Sequence, residues 1–203
     1  MVISAPIFSK AERCRSTGRA PIAQPKRTVF PIRSSVPARS SSARWKVPTA
    51  ETRALIARAR AAGARTVLNL APAAPIDPAH FAQIDILVAN AGEADALGAD
   101  PAGLARRLRQ AFVVTRGSEG STAYLADGGR IDTPALAIDP VDTTGAGDTF
   151  VGVLAAGLDR RLALTAALRE ASAAAGLACL AQGAQSAVPD RAAIEAAARR
   201  LSD

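Results

Sequence analysis

Three short apolar runs constrain this chain more than anything else in it: TVLNLAP (66–72), IDILVAN (84–90) and AFVVTRG (111–117). Each is too short to be a self-sufficient helix and too continuously apolar to leave one face in water. Such runs read as strands buried on both faces. Segments of helical spacing lie among them. TAETRALIARARAAGA (49–64) puts Leu55, Ile56, Ala59 and Ala62 on one face, with Thr49 placed to cap the start and Gly63 to end it. ADPAGLARRLRQ (99–110) also reads as helix. Buried strands alternating with amphipathic helices call for crossover connections, and so for an α/β fold on a mainly parallel sheet.

The pattern then changes. STAYLADGGRIDTP (121–134) is two short strands around Asp-Gly-Gly, a hairpin signal. Three helical segments follow, AGDTFVGVLAAGL (146–158), the Ala-rich LALTAALREASAAAGLACLA (162–181) and the amphipathic DRAAIEAAARRLSD (190–203). Only 3% of residues are aromatic, so the core is expected to be built from Ala, Leu, Val and Ile. No apolar run is long enough to span a bilayer. Cys14 and Cys179 form neither a metal-ligand spacing nor a disulfide framework, which points to a reducing, cytoplasmic setting. His80, the sole histidine, reads as a surface residue.

The net charge of +7 has a location. Residues 1–46 hold ten Lys and Arg against one acid, Glu12, whereas the rest of the chain holds fifteen arginines and seventeen acids. Pro6, Pro21, Pro25, Pro31 and Pro37 interrupt any regular element in that basic stretch. The expected division is therefore a basic disordered tail over 1–44, or else a segment foreign to the fold or a targeting segment, followed by a folded unit over 45–203. The tail's charges are not interleaved with a series of stacking aromatics, so nucleic acid is not the expected partner; nor is a membrane.

VDTTGAGDTF (141–150) is where the chemistry concentrates. Gly145 and Gly147 free the backbone for a tight turn, and the helix that follows adds unpaired N–H groups and the positive end of its dipole. Such a corner attracts phosphate. Asp148 stands in the first turn of that helix, and a carboxylate beside phosphate is repulsive unless it accepts a proton from an attacking hydroxyl. A P-loop would need a lysine, and none follows Lys46; a dinucleotide fingerprint would need glycine where Phe150 stands. A plain helix start, with Thr144 as cap and Asp148 favouring the dipole, remains open on the residues alone.

This stretch resembles the signature of the PfkB-type carbohydrate kinases, and the chain from about Trp45 onward is similar to the ribokinase-like members. LNLAPA (68–73), NAGE (90–93), VTRGSEGS (114–121) and QGAQSAVP (182–189) resemble further motifs of that family, in the same order. The resemblance implies a three-layer α/β fold, present as its C-terminal part. The family's sugar pocket and lid draw on an early aspartate and a Gly-Gly motif, and residues 1–44 contain neither. It implies ATP-dependent transfer of the γ-phosphate to a sugar hydroxyl, ribose to ribose 5-phosphate being the first expectation. A non-catalytic nucleotide-binding module is the alternative.

The resemblance also implies roles. Asp148 would be the base, and Gly145, Ala146 and Gly147 the anion hole. Asn90 would help place the triphosphate, and Glu93 would organise Mg²⁺ through water. Thr115, Arg116, Gly117, Ser118, Glu119 and Gly120 would line the nucleotide pocket together with Gly147 and Asp148. Ser172 falls near the expected adenine position, where the family often has Asn or His. Asp142 and the carbonyls of Thr144, Ala178, Ala181 and Gly183 would hold K⁺; the family commonly offers a serine hydroxyl where Ala187 stands, and Ser186 is adjacent. The expected partners are a small sugar and ATP. A partial sheet would leave an open edge, so pairing with a second copy is expected too.

Overall fold

The structure, a computed structural model, describes residues 2–3, 49–71 and 78–201. Six strands form one sheet in sequential order. They are β1 (Val2–Ile3), β2 (Val67–Asn69), β3 (Ile86–Asn90), β4 (Ala111–Thr115), β5 (Ser121–Leu125) and β6 (Arg130–Thr133). β1 to β4 are parallel, and β5 and β6 add antiparallel to the far edge. The helices are α1 (Thr49–Ala61), α2 (Ala91–Ala96), α3 (Pro101–Ala105), α4 (Ala146–Asp159), α5 (Leu164–Ala178) and α6 (Arg191–Arg199).

Alternation along the buried strands builds two cores. On one face Val67, Ile86, Val88, Val113 and Ala123 meet Phe150, Val151 and Leu154 of α4 and Leu168 and Ala171 of α5. On the other, Leu68, Leu87, Ala89, Phe112 and Val114 meet Ile56 of α1, Phe81, Ala94 of α2 and Leu104 of α3. The result is the expected three-layer α/β arrangement. Small residues bring α4 and α5 together: a β-carbon at Gly157 would lie 3.1 Å from the Ala167 methyl carbon.

Some expectations needed correction. His80 is buried, because the 3-10 turn Pro78–Gln83 packs onto the core beside Phe81. α3 covers only part of 99–110; Asp100 caps it, accepting from the Gly103 N–H at 2.7 Å, and the chain turns after Ala105. α1 stops at Ala61, so Ala62 is exposed rather than on the apolar face. Val2 and Ile3 pair in register with Val67 and Leu68, a strand not expected in the tail. The rest of the 1–44 expectation, with Cys14 and the end of the LNLAPA motif, lies outside the described residues.

Candidate active site

α4 starts from a corner closed by Asp142. Its N-cap is Gly145 in the left-handed conformation, φ 80° and ψ 0°, with no side-chain cap, so Thr144 does not play the capping role expected of it. The Thr144 N–H instead donates to Asp142 Oδ1 at 2.9 Å. The other carboxylate oxygen, Oδ2, accepts from the Gly183 N–H at 3.0 Å. Asp142 thus clasps two turns that are distant in sequence. Hydrogen bonds from Gly183 first, and then from Thr144, hold its carboxyl down to about 2.

The second turn also presses on the corner. A β-carbon at Gly145 would lie 2.8 Å from the Ala184 methyl carbon and 3.0 Å from its Cα. Glycine is needed there twice over, for its positive φ and for that close approach. Gly147 and Asp148 are exposed, while Thr149 and Phe150 behind them are buried and anchor the helix start. The Asp148 carboxylate accepts no hydrogen bond among the described residues.

A series of contacts fixes where this corner lies. Gly120, just past the C-terminal end of β4, leaves room for the Thr133–Ala135 backbone. Ser172 Oγ donates to the Pro134 carbonyl at 2.6 Å, and one turn further along α5 a β-carbon at Gly176 would lie 3.0 Å from Leu136. Past the end of α5, the Cys179 carbonyl accepts from the Val141 and Asp142 N–H groups at 2.8 and 3.2 Å. The corner therefore belongs to the end of the sheet where the parallel strands finish. Open α/β sheets bind ligands at that end.

Asn90 and Thr115 end β3 and β4 in register with each other. Asn90 and Glu93 form a reciprocal capping box at the start of α2: Asn90 Oδ1 accepts from the Glu93 N–H and Glu93 Oε2 from the Asn90 N–H, both at 2.9 Å. One carboxylate oxygen of Glu93 is thereby committed and the other is left. Among the described residues no cluster of three or more His, Cys, Asp or Glu side chains could hold a metal ion.

Two candidates point elsewhere. Arg116 donates to Thr122 Oγ1 at 2.8 Å and to the Tyr124 hydroxyl at 3.4 Å. Thr122 and Tyr124 are in register with Val114 and Phe112, on the α1–α3 face, so the Arg116 charge is turned away from α4. Ser172 is buried with its hydroxyl given to Pro134, which makes it a tie between α5 and the sheet rather than an exposed base contact. Gly117–Glu119 form a 3-10 turn, with Ser118 at its centre, and Gly120 closes it. Of the carbonyls expected around K⁺, that of Gly183 accepts from the Ala187 N–H at 3.2 Å, Ala178 ends α5 and Ala181 is exposed. Ser186 Oγ donates to the Gln182 carbonyl at 2.9 Å, and Ala187 is buried.

The sequence reading gave Ala184 no role, although it is the middle residue of the Gly-Ala-Gln motif within QGAQSAVP (182–189). It also missed the Thr122–Asp132 link at 2.7 Å, to which Arg130 adds a salt bridge.

Residues 38–191 match the model of the pfkB family of carbohydrate kinases. The chain belongs to that family. This pfkB-family chain is 36% identical to the ribokinase of Bacillus subtilis (strain 168) over 132 residues, which is 64% of this chain and 44% of that protein. Its fold superposes on the ribokinase of Thermotoga maritima with TM-score 0.68 at 26% identity, over 75% of this chain and 54% of that one. It superposes on the ribokinase of Arabidopsis thaliana complexed with ribose and ATP with TM-score 0.66 at 25% identity, over 75% and 53%. The chain spans about half the length of these relatives.

Proposed function

We propose that this chain carries the phosphoryl-transfer centre of an ATP-dependent sugar kinase with ribose as acceptor, yielding ribose 5-phosphate. The observation that carries the reading is the exposed Asp148 carboxylate in the first turn of α4, directly after the Gly145–Gly147 corner. In this reading Asp148 takes the proton of the attacking sugar hydroxyl, and the corner N–H groups with the dipole of α4 receive charge on the transferring phosphoryl group. Asn90 and Thr115, side by side at the strand ends, face the triphosphate. The Thr115–Gly120 turn contributes backbone to the nucleotide pocket; Arg116 acts within the β5–β6 face.

Mg²⁺, when bound, offsets the phosphate charge that would repel the incoming hydroxyl. Glu93 would hold its water shell through the oxygen not used in the capping box. Asp142 and the carbonyls of Thr144, Ala178, Ala181 and Gly183 would hold K⁺. No helix among the described residues is long and apolar enough to cross a membrane, and the reading places the protein in the cytoplasm with its ATP. Among the described residues the outer edge strand is the two-residue β1, and a homodimer formed along that edge completes the reading.

The alternative reading is nucleotide binding without catalysis. The test supplies the purified chain with ATP, Mg²⁺ and K⁺ and follows ADP release with ribose and related sugars. The expected result is ribose-dependent release well below the ordinary enzyme range of about 1–10³ s⁻¹. Nucleotide binding with no sugar-dependent release selects the alternative reading.

A further inference from the structure

We infer that Ala184 is a positioning residue for the anion-binding corner. Its methyl group fills the space that Gly145 leaves by having no side chain, and it fixes the direction of the Gly145 and Gly147 N–H groups toward a phosphoryl group. The inference deepens the proposed function and rests on that reading for its ligand.

The argument starts from how the corner is held. Between Asp142 and α4 the chain passes through Thr143, Thr144 and Gly145, and Gly145 has the widest backbone freedom of any residue type. The Asp142 carboxylate restrains one side of this turn through the Thr144 N–H. Within the turn the Thr143 carbonyl accepts from the Ala146 N–H at 3.3 Å, and the Gly145 carbonyl accepts from the Thr149 N–H at 2.9 Å. The restraint on the other side is steric: a β-carbon at Gly145 would meet three Ala184 atoms, the methyl carbon at 2.8 Å, Cα at 3.0 Å and the carbonyl oxygen at 3.2 Å.

Ala184 is itself anchored. Its neighbour Gly183 donates to Asp142 Oδ2 at 3.0 Å, and the turn is closed by Ala187 N–H on the Gly183 carbonyl and Ser186 Oγ on the Gln182 carbonyl. The same carboxylate that closes the first turn therefore docks the second, and the Ala184 methyl completes the fit. A β-branched side chain at 184 adds a carbon where the two turns touch, and Gly145 has to move. A serine adds one atom that can rotate toward solvent, because Ala184 is only half-buried.

The experiment uses the full chain, isotopically labelled, titrated with ADP·Mg²⁺ and separately with inorganic phosphate. Amide NMR shifts and unfolding midpoints are followed for the wild type, Ala184→Val and Ala184→Ser. The expected outcome is that Ala184→Val weakens ADP and phosphate binding by about 10-fold or more and moves the amides of residues 142–148, while the unfolding midpoint is largely kept. Ala184→Ser stays within about twofold of wild type on both readouts. Wild-type binding and unmoved 142–148 amides in Ala184→Val overturn the inference. So does a shift pattern spread through α4 and α5 with both variants equally destabilised, since that marks ordinary packing. If the wild type binds neither probe while Ala184→Val still moves the 142–148 amides, the steric coupling stands and the phosphate reading falls.

Discussion

The two ends of the parallel sheet are built on opposite plans. Where the strands begin, the Asp85 carboxylate is spent on its neighbours. Asp85 Oδ2 accepts from the Thr66 N–H at 2.8 Å and from its hydroxyl at 3.0 Å, and Asp85 N–H returns a bond to the same hydroxyl at 2.9 Å. Asp85 Oδ1 takes the Arg109 guanidinium at 3.0 Å, which ties the entry of β4 to those of β2 and β3. Where the strands finish, the exposed Asp148 carboxylate accepts no hydrogen bond among the described residues, and Asn90 is exposed at the end of β3 with its Oδ1 and N–H in the capping box with Glu93. The glycines differ in the same sense. Gly128, in the β5–β6 turn at the closed end, has φ 94° with nothing within 4 Å of a would-be β-carbon. At the open end a β-carbon at Gly120 would collide with the Thr133 carbonyl, and one at Gly145 with Ala184. One glycine only turns the chain; the others let two backbones touch. A closed end secures the fold, and an open end of unspent polar groups on a tightly braced backbone is what a ligand site requires.

The largest expected effect breaks function without touching the fold. Asp148→Asn is expected to cut turnover by about 10²–10⁴-fold, because the base is lost while its shape is kept. ADP affinity and the unfolding midpoint are expected to stay near wild type, since the exposed carboxylate accepts no hydrogen bond among the described residues. ADP release and thermal unfolding on the same preparation check both halves. Unchanged turnover removes Asp148 from the chemistry.

The mirror-image experiment acts at the closed end. Asp85→Ala strips the acceptor from the Thr66 N–H, which is buried, and from Arg109. Losing hydrogen bonds to a charged group and leaving a buried donor unmet is expected to cost about 2–3 kcal/mol of stability. ADP affinity per folded molecule is expected to be unchanged, because the residue stands at the far end of the strands. Urea unfolding measures the first and titration of the folded variant the second. Impaired nucleotide binding at full stability would mean that the two ends are not independent.

Much of this division was legible in the sequence, for reasons particular residues make clear. Ile86–Asn90 and Ala111–Thr115 announced themselves because a strand covered on both faces has no polar position to blur its apolar run. The Gly-Ala-Gly-Asp corner was legible because backbone geometry and charge are carried by consecutive residues. His80 was misread because a 3-10 turn has neither a helix nor a strand period, so nothing signalled that it packs inward beside Phe81. Asp85 fell inside the IDILVAN strand reading and drew no notice, since its partners Thr66 and Arg109 come from other strands' entries. Arg116 was placed with the nucleotide by its motif, but its long side chain reaches the Thr122 and Tyr124 hydroxyls on the other face. Contacts between turns far apart in sequence, Ala184 on Gly145 above all, leave no periodic trace.

The smallest expected effect tests whether charge takes part in bracing the open end. Asp142 is held down to about 2 by N–H groups of Gly183 and Thr144, against an ordinary value of 3.8. A carboxyl depressed by folding contributes stability only while it is ionised in the folded state. The contribution is therefore complete above about pH 4 and fades as the pH falls toward 2. Without added K⁺, Asp142→Ala is expected to unfold slightly more easily than wild type at pH 6, with the gap closing between pH 4 and pH 2. The effect is small because the group is solvent-accessible and its attraction to the N–H donors is screened. Thermal midpoints of both proteins across that pH range check it. A gap that stays constant down to pH 2 would show that the ionised carboxylate contributes nothing beyond a neutral acid, and that the steric seat of Ala184 on Gly145 braces the corner without it.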